Sequence, residues 1–536
     1  MDNATLAERL EAFAALLELN GSSFYTTRAY RRAAELIRST PADVSTIVRA
    51  RRVRELRGIG PGIEARLREL VETGELAELR ELEAEVMPEL VAVGRLIGLS
   101  PVRMRELGSA LEVRTLAALR GAVAAGRLEG VRGIGPKTAA KIREGLSGLS
   151  HDVRPRHGLT LNHARALVGE LAAALGGEPA GDPRRSCDLS TRLAVVVPSS
   201  SLLLGLERLP QIVSVLERED DRAVGVTVEG IPIEVIAATP ASFGTALLRA
   251  TGSPEYVATL GPLPKRASEL EVYTYIGCPF RPPELRELDA ADPPPDLLEL
   301  EHIRGDLHMH STASDGKATV LELGLAAREL GYEYIAICDH TKAVRVVEGL
   351  DADGLRGQAE EIAAANEELA PFRILRGSEC DILPDGSLDL PDDVLAELDW
   401  VQISLHAGQR TAADELTKRV LEAMRHPAAS CLSHPLGRIL NHRPENALDL
   451  DRVFEVALET GVALEVNGLP DRLDLSGRHV RRALAAGVKI VCSTDAHSIR
   501  GLGNMALSVG TARRGGAPRG DVLNTLPLAG LLARPR

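Results

Sequence analysis

Residues 304–310 read Arg304-Gly305-Asp306-Leu307-His308-Met309-His310. Side chains of an extended chain alternate between faces, so Asp306, His308 and His310 share one face and Leu307 and Met309 the other. Two imidazoles spaced in this way can reach one metal ion. Downstream, one apolar strand-like run after another ends on a residue of metal-ligand type. Asp315 stands in a Ser-Asp-Gly turn, His340 follows Ile335-Ala336-Ile337-Cys338-Asp339, and Glu379 follows Leu375-Arg376-Gly377-Ser378. His406 follows Gln402-Ile403-Ser404-Leu405, His434 follows Cys431-Leu432-Ser433, and Asp495 and His497 follow Val491-Cys492-Ser493-Thr494.

The runs at 334–338, 373–376, 401–405, 429–432, 462–466 and 489–492 alternate with helical stretches, the pattern of a parallel α/β barrel. Barrel sites lie where the C-terminal strand ends converge, so separate strands can point at one spot. A single histidine after an apolar strand is ordinarily a satisfied polar group or a cap. Here six of the 13 histidines occupy such ends, with Asp and Glu at matching places, which points to a metal site. Imidazoles with a few carboxylates suit manganese or zinc, with iron a third option, and Glu379 can bridge two ions.

Working back toward the N-terminus, Asp289–Pro295 (Asp-Ala-Ala-Asp-Pro-Pro-Pro) reads as an exposed linker. Before it, residues 160–285 have a mixed α/β texture, with strands predicted over 193–198 and 231–237 and a helix over 161–175. Residues 1–150 read as almost wholly helical, with amphipathic stretches such as 6–19 and 30–37. A local pattern recurs there: Leu56-Arg57-Gly58-Ile59-Gly60-Pro61-Gly62 and Val131-Arg132-Gly133-Ile134-Gly135-Pro136-Lys137, with a weaker copy at Leu96-Ile97-Gly98-Leu99-Ser100-Pro101. The glycines let the backbone pass close to a phosphodiester, and amides opening the next helix can donate to it. Basic residues follow each turn: Arg66 and Arg68 in one, Lys137, Lys141 and Arg143 in the other.

Charge is divided accordingly. The net charge is −13, yet residues 101–150 carry nine basic against four acidic side chains, which permits a DNA-facing N-terminal half. Hydrophobic content of 44% and charged content of 26% fit an ordinary globular protein, and 536 residues are too many for one core. No apolar run reaches the roughly 18 residues that span a bilayer, and the N-terminus lacks a signal-peptide pattern, so a cytoplasmic protein without membrane contacts is expected. The six cysteines include no Cys-x-x-Cys pair; Cys338 and Cys492 lie in apolar runs and are expected to be buried free thiols.

The ligand order resembles the polymerase-and-histidinol-phosphatase (PHP) family over about 304–510, and all nine of that family's ligand positions are matched. The resemblance implies a distorted (β/α)7 barrel with two or three ions. His308, His310, Glu379 and Asp495 would hold one, Glu379, His406 and His434 a second, and Asp315, His340 and His497 a third. Such ions provide the nucleophile at neutral pH, so no separate protein base is required. Asp339 and Lys342 would orient ligands or touch substrate, or be solvated rim charges.

The Gly-Ile-Gly-Pro repeats resemble helix–hairpin–helix DNA-binding motifs, with Gly58, Gly60, Gly62, Gly133, Gly135, Lys137 and Lys141 as the implied DNA contacts. The stretch Phe24-Tyr25-Thr26-Thr27-Arg28-Ala29-Tyr30-Arg31-Arg32-Ala33-Ala34, with Thr251-Gly252-Ser253 and Pro282-Pro283-Glu284-Leu285-Arg286-Glu287, resembles bacterial family X DNA polymerases in which a PHP domain follows the polymerase. That architecture implies several domains. An all-α helix–hairpin–helix region would occupy 1–85 and 86–150, and an α/β nucleotidyltransferase-like palm 151–288. A linker at 289–303 and the barrel at 304–536 would follow.

Nucleotidyl transfer in this family needs Gly-Ser-x-Arg-Arg, an Asp-x-Asp strand and a third Asp. This chain has Gly181-Asp182-Pro183-Arg184-Arg185, with an acid where a phosphate-binding Ser is needed. Counting on, the Asp-x-Asp positions fall on Leu193 and Val195 and the third on Glu234; Asp188 lies nearby in another register. Leu and Val ligate no metal, so magnesium at the palm and polymerase activity are not expected, although Arg184 and Arg185 would still contact a DNA phosphate. The resemblance thus implies DNA repair by 3′-5′ exonuclease or 3′-end processing on gapped, nicked or 3′-recessed duplex. An active gap-filling polymerase and a small-molecule phosphatase of histidinol-phosphate type are the alternatives. Oligomeric state is not fixed by the sequence.

Overall fold

The computed structural model describes the chain except residues 1–2, 20–23, 40–43, 57, 86, 88–89, 91–92, 95–96, 98, 100, 148–157, 210, 228–229, 291, 345–347 and 534–536. Arg57 of the first hairpin, Leu96, Gly98 and Ser100 of the weaker copy, and the expected boundary at 150/151 lie outside the described residues. The protein is multidomain, with a helical N-terminal region, a mixed α/β middle and a C-terminal parallel barrel.

In the N-terminal region the expected helices extend over Asn3–Leu19 and Phe24–Ser39. Apolar side chains from Leu6 to Leu146 form one cluster that runs through both expected helical units and reaches Val226 of the middle domain. Each hairpin turns on a glycine in the left-handed region, Gly58 at φ +108° and Gly133 at φ +86°, which a side chain rarely adopts. The helices that follow begin at Pro61 and Pro136, where a missing amide costs nothing. Gly60 caps the first of them, and a methyl group at Gly60 or Gly135 would meet no atom within 4 Å, so both helix starts face open space. Arg66, Arg68 and Arg143 are ion-paired to Glu78, Glu64 and Glu129.

The middle domain is a five-stranded mixed sheet of β2 (Glu178–Gly181), β4 (Leu193–Val197), β7 (Pro232–Ala237), β6 (Arg222–Thr227) and β5 (Ile212–Arg218), in that spatial order. A short pair, β1 (Leu159–Thr160) and β3 (Leu189–Ser190), lies beside it. Strand β4 is buried along its whole length, which explains its unbroken apolar sequence. Leu193, Val195 and Val197 pack with the helix Leu161–Leu175, while Ala194 and Val196 pack on the opposite face with Ala250 and Phe243.

The barrel is a seven-stranded parallel sheet: β8 (Gly305–Met309), β9 (Tyr334–Ile337), β10 (Arg373–Asp381), β11 (Trp400–Ser404), β12 (Cys431–Leu432), β13 (Ala463–Asn467) and β14 (Ile490–Ser493), in sequence order. It closes where the His310 amide donates to the Ala496 carbonyl at 2.9 Å. Within the expected linker 289–303, Leu297 and Leu298 are buried and the Leu298 amide donates to the Ala517 carbonyl at 2.9 Å. Cys338 and Cys492 are buried and free, as read from their apolar surroundings. Ion pairs Arg438–Asp188 (2.8 Å), Arg513–Glu284 (2.8 Å) and Arg514–Glu287 (2.8 Å) fasten the barrel to the middle domain.

Candidate metal centre

All nine side chains expected as ligands gather at the C-terminal mouth of the barrel. Glu379 stands at the middle, and its two oxygens face different imidazoles. Oε2 lies 3.6 Å from His308 Nε2, 3.7 Å from His310 Nε2 and 2.9 Å from His340 Nδ1. Oε1 lies 3.4 Å from His406 Nε2 and 2.9 Å from His434 Nε2. Asp495 Oδ1 is 3.1 Å from His310 Nε2, and Asp315 Oδ2 is 3.2 Å from His497 Nε2 and 3.6 Å from His340 Nε2. Ligands about 2.0–2.1 Å from a shared tetrahedral ion stand about 3.4 Å from one another, so these separations suit ions between the groups. Buried His308 Nε2 and His310 Nδ1 have no hydrogen-bond partner, which a metal ion would supply.

Three groupings can each hold an ion: His308, His310 and Asp495; His340, Glu379 and His406; and His310, Asp315, His340 and His497. They overlap the sets implied by the sequence with three differences: Glu379 is absent from the first, His340 stands in place of His434 in the second, and His310 joins the third; His434 Nε2 instead faces Glu379 Oε1 at 2.9 Å. The third grouping marks the open side, since the Asp315 and His497 side chains are 28% and 32% exposed whereas His308 and His310 are wholly buried.

Electrostatics match a cation site. Burial opposes ionisation of Glu379, but His406, His340 and His308 outweigh it and hold the carboxyl well below its usual range. Burial likewise opposes the imidazolium forms, yet Glu379 and its neighbours raise His340 to about 10 and His406 to about 9. Two ligands sit on strained backbone: His434 has φ +24° and Asp495 φ +51°, a conformation costing about 1–3 kcal/mol for residues other than glycine.

Of the residues that aim this centre, Asp339 was expected from the sequence, whereas Glu465 and Asp381 were not singled out. Glu465 on β13 is fully buried and accepts hydrogen bonds from His308 Nδ1 (2.6 Å), the His434 amide (2.6 Å), Gln402 Nε2 (3.0 Å) and Ser433 Oγ (3.0 Å). It therefore ties β8, β11, β12 and β13 together and leaves His308 Nε2 facing the centre. A lone acid inside the apolar run Ala463-Leu464-Glu465-Val466 was the available signal. Asp381 contacts His406 Nδ1 at 3.2 Å, and Asp339 accepts from the Ser311 amide (2.8 Å) and hydroxyl (2.6 Å). Asp339 thus braces the loop after His310 from a fully buried position, while Lys342 is exposed and paired with Asp351.

The palm requires two corrections. Carboxylates that share metal ions must project from one sheet face. Strand pairing sets Ala194 opposite Glu234, with Leu193 opposite Ile233 and Val195 opposite Val235. Leu193 and Val195 therefore point away from Glu234 into the apolar core, and the positions that share its face are Arg192 and Ala194. The count of ligands is unchanged by the shift: two of three are missing, and Glu234 is bound by Arg222.

Arg184 and Arg185, expected to contact a DNA phosphate, are both engaged by internal partners. Arg184 grips Glu269 with both terminal nitrogens (2.7 and 2.8 Å), and Arg185 is buried on Asp182 (2.6 Å), Glu287 (2.8 Å) and the Thr251 carbonyl. Asp182 is no free repelling charge either; its other oxygen accepts from the Thr191 and Arg192 amides, both at 2.8 Å. Their geometry explains the correction, since every strong partner is internal.

Comparison with known proteins bears on the same architecture. A helix–hairpin–helix domain model matches residues 1–76. The chain is 32% identical to the DNA polymerase/3′-5′ exonuclease PolX of Bacillus subtilis (strain 168), across 98% of each chain. It is 29% identical to a probable phosphatase of Acetivibrio thermocellus over 36% of this chain and 78% of that one. A probable phosphatase of Thermoanaerobacter sp. (strain X514) is 28% identical over 41% of this chain and 89% of the relative.

Proposed function

The chain belongs to the bacterial family X DNA polymerases that carry a PHP domain, and on that premise we propose that its working active site is the barrel, hydrolysing phosphodiesters at DNA 3′ ends in repair. One observation carries this reading: Glu379 divides its two oxygens between two sets of imidazoles, while the palm face keeps one carboxylate that an arginine already holds. Two or three divalent ions, manganese or zinc with iron a third option, would be held by the nine barrel residues. When bound, they supply a nucleophile at neutral pH and stabilise charge on the phosphate oxygens.

The chain's own groups do the rest. Ser404 donates to Glu379 Oε1 at 2.5 Å and fixes the carboxylate between the two imidazole sets, with Ser433 Oγ 3.3 Å from the same oxygen. Glu465 holds the His308 ring with Nε2 inward, and Asp381 does the same for His406. Asp315, His340 and His497 stand at the mouth, where a phosphate enters. Buried walls behind them exclude bulk water and strengthen each electrostatic contact.

The hairpins at Gly58–Gly62 and Gly133–Lys137, with Lys141, would hold gapped, nicked or 3′-recessed duplex by its phosphates without reading sequence. Domain limits near 85, 150, 288 and 303 are part of the proposal, as is action in the cytoplasm. No helix among the described residues is long and apolar enough to cross a membrane. Removal of a 3′ phosphate is the second reading, favoured by the relatives named as probable phosphatases.

The test uses purified protein, Mn²⁺ and a 5′-labelled, 3′-recessed duplex ending in a hydroxyl or a phosphate, with and without dNTPs, beside His308→Ala. Shortening of the labelled strand in the wild type only is expected, with no extension. Loss of the phosphate without shortening would replace the exonuclease by the phosphatase. Extension that survives the substitution would overturn the reading of the palm.

A further inference from the structure

The palm face that lacks its carboxylates is not featureless. A cavity of about 390 Å³ opens on it, lined by Arg192, Ala194, Glu234 and Arg249. A second cavity of about 560 Å³ lies between palm and barrel and reaches Leu440 and Arg478. Thr191, Arg192 and Pro254 line both, so the two cavities of this cleft adjoin at those residues. Its far wall includes Arg438 and Leu440, on the segment that follows the barrel residue His434. That wall also carries Ser476 and Gly477, where the nine-residue helix Gly477–Ala485 begins.

Most charges lining the cleft neutralise one another. Arg185 pairs with Asp182 (2.6 Å), Arg438 with Asp188 (2.8 Å) and Arg514 with Glu287 (2.8 Å), while Arg222 covers Glu234. Glu445 lies 3.7 Å from Arg438, and Glu255 has an interaction of its own. Three arginines are left over: Arg192, Arg249 and Arg478 form no ion pair among the described residues. Arg192 makes only a 3.5 Å contact to the Gly252 carbonyl. A face that must be anionic to hold metal ions has therefore become cationic, and a guanidinium can take a phosphate directly and with two parallel hydrogen bonds.

We propose that this cleft binds the phosphates of a DNA strand without any metal ion, through Arg192, Arg249 and Arg478, and so holds the strand beside the barrel's metal centre. The inference rests on the reading that the barrel acts on DNA, but its test does not require hydrolysis. Full-length protein in EDTA is titrated with a labelled gapped duplex and, separately, with dATP, across a range of salt. For Arg192→Gln/Arg249→Gln/Arg478→Gln, DNA affinity is expected to fall about tenfold or more and the salt dependence to lose roughly two to three phosphate contacts. The corresponding lysine substitutions should recover much of the loss.

Unchanged DNA affinity and salt slope in the glutamine variant would overturn the inference. Loss of dATP binding with DNA binding intact would overturn the strand assignment and make the ligand a free nucleotide. Arg249 is exposed, so Arg249→Gln alone keeps the test open if the triple variant melts early, and an unchanged salt slope for that single variant would count against the cleft. Failure of the wild type to shorten DNA with Mn²⁺ would sink the hydrolase reading while leaving this binding measurement standing.

Discussion

The barrel and the palm solve the same geometric problem, bringing carboxylates from neighbouring strands to one point, and in this chain they have diverged. Barrel strands end on histidines and acids that face one another at about 3–4 Å, with Glu465 fully buried beneath them and two ligands on left-handed backbone. Buried charge and strained backbone are expensive, and they persist where the surroundings over-determine them. On the palm face the equivalent positions are Arg192, Ala194 and a Glu234 covered by Arg222. The Gly181–Arg185 loop is held internally: Asp182, Arg184 and Arg185 bind Thr191, Glu269 and Glu287. On the proposed reading, the palm's internal ion pairs are what a site without metal ligands settles into, whereas a site in use keeps its costs.

Asp182 gives the largest expected break in that contrast. If the loop is now structural, Asp182→Ser removes a buried partner from Arg185 and a double acceptor from two amides, at a cost of about 3 kcal/mol. Differential scanning calorimetry should show an earlier melting transition and no gain of dNTP incorporation. A variant as stable as the wild type would mean that Asp182 is a tolerated leftover. Any restored extension would mean that the palm is one residue from activity.

A smaller effect is expected in the barrel, and it is read by metal affinity. Glu465→Gln keeps size and burial but weakens the bond that holds His308 Nδ1–H, so Mn²⁺ affinity should fall about tenfold to a hundredfold. Competition against a fluorescent chelator measures this, and the folded state is followed by its melting temperature. Affinity equal to the wild type would reduce Glu465 to a packing residue.

These two residues also show what was legible in the sequence. The barrel's ligands could be read because most of them close an unbroken apolar run, while His308 and His310 alternate with Leu307 and Met309, signals that survive without any knowledge of neighbours. The helix Leu161–Leu175 and strand Leu193–Val197 were legible from local apolar patterning too, at helical spacing in the one and unbroken in the other. Glu465 was not, since what makes it important is five donors converging from outside its own strand. The face of Leu193 and Val195 was misjudged because counting residues from Arg185 fixes position but not pleat; only pairing with β7 decides which side Glu234 shares. The internal capture of Arg184 and Arg185 likewise depends on Glu269 and Glu287, which lie 85 and 102 residues away.

The smallest effect is expected at the rim of the barrel, and it limits how far the metal centre extends. Lys342 lies two residues beyond His340, where a substrate contact was a reasonable expectation from sequence. Its side chain is 63% exposed and directed to Asp351, which is 50% exposed and also caps the helix Ala352–Leu369. An exposed pair of this kind is screened by salt and contributes little to folding or to a fixed geometry. Lys342→Ala should therefore change hydrolysis of a labelled 3′-recessed duplex by less than about threefold at moderate salt, with any change confined to KM. A fall in kcat, or a loss that persists at high salt, would place Lys342 on the phosphate and move the edge of the site outward past the nine ligands. Parity with the wild type would leave hydrolysis to the converging strand ends, where the barrel differs from the palm.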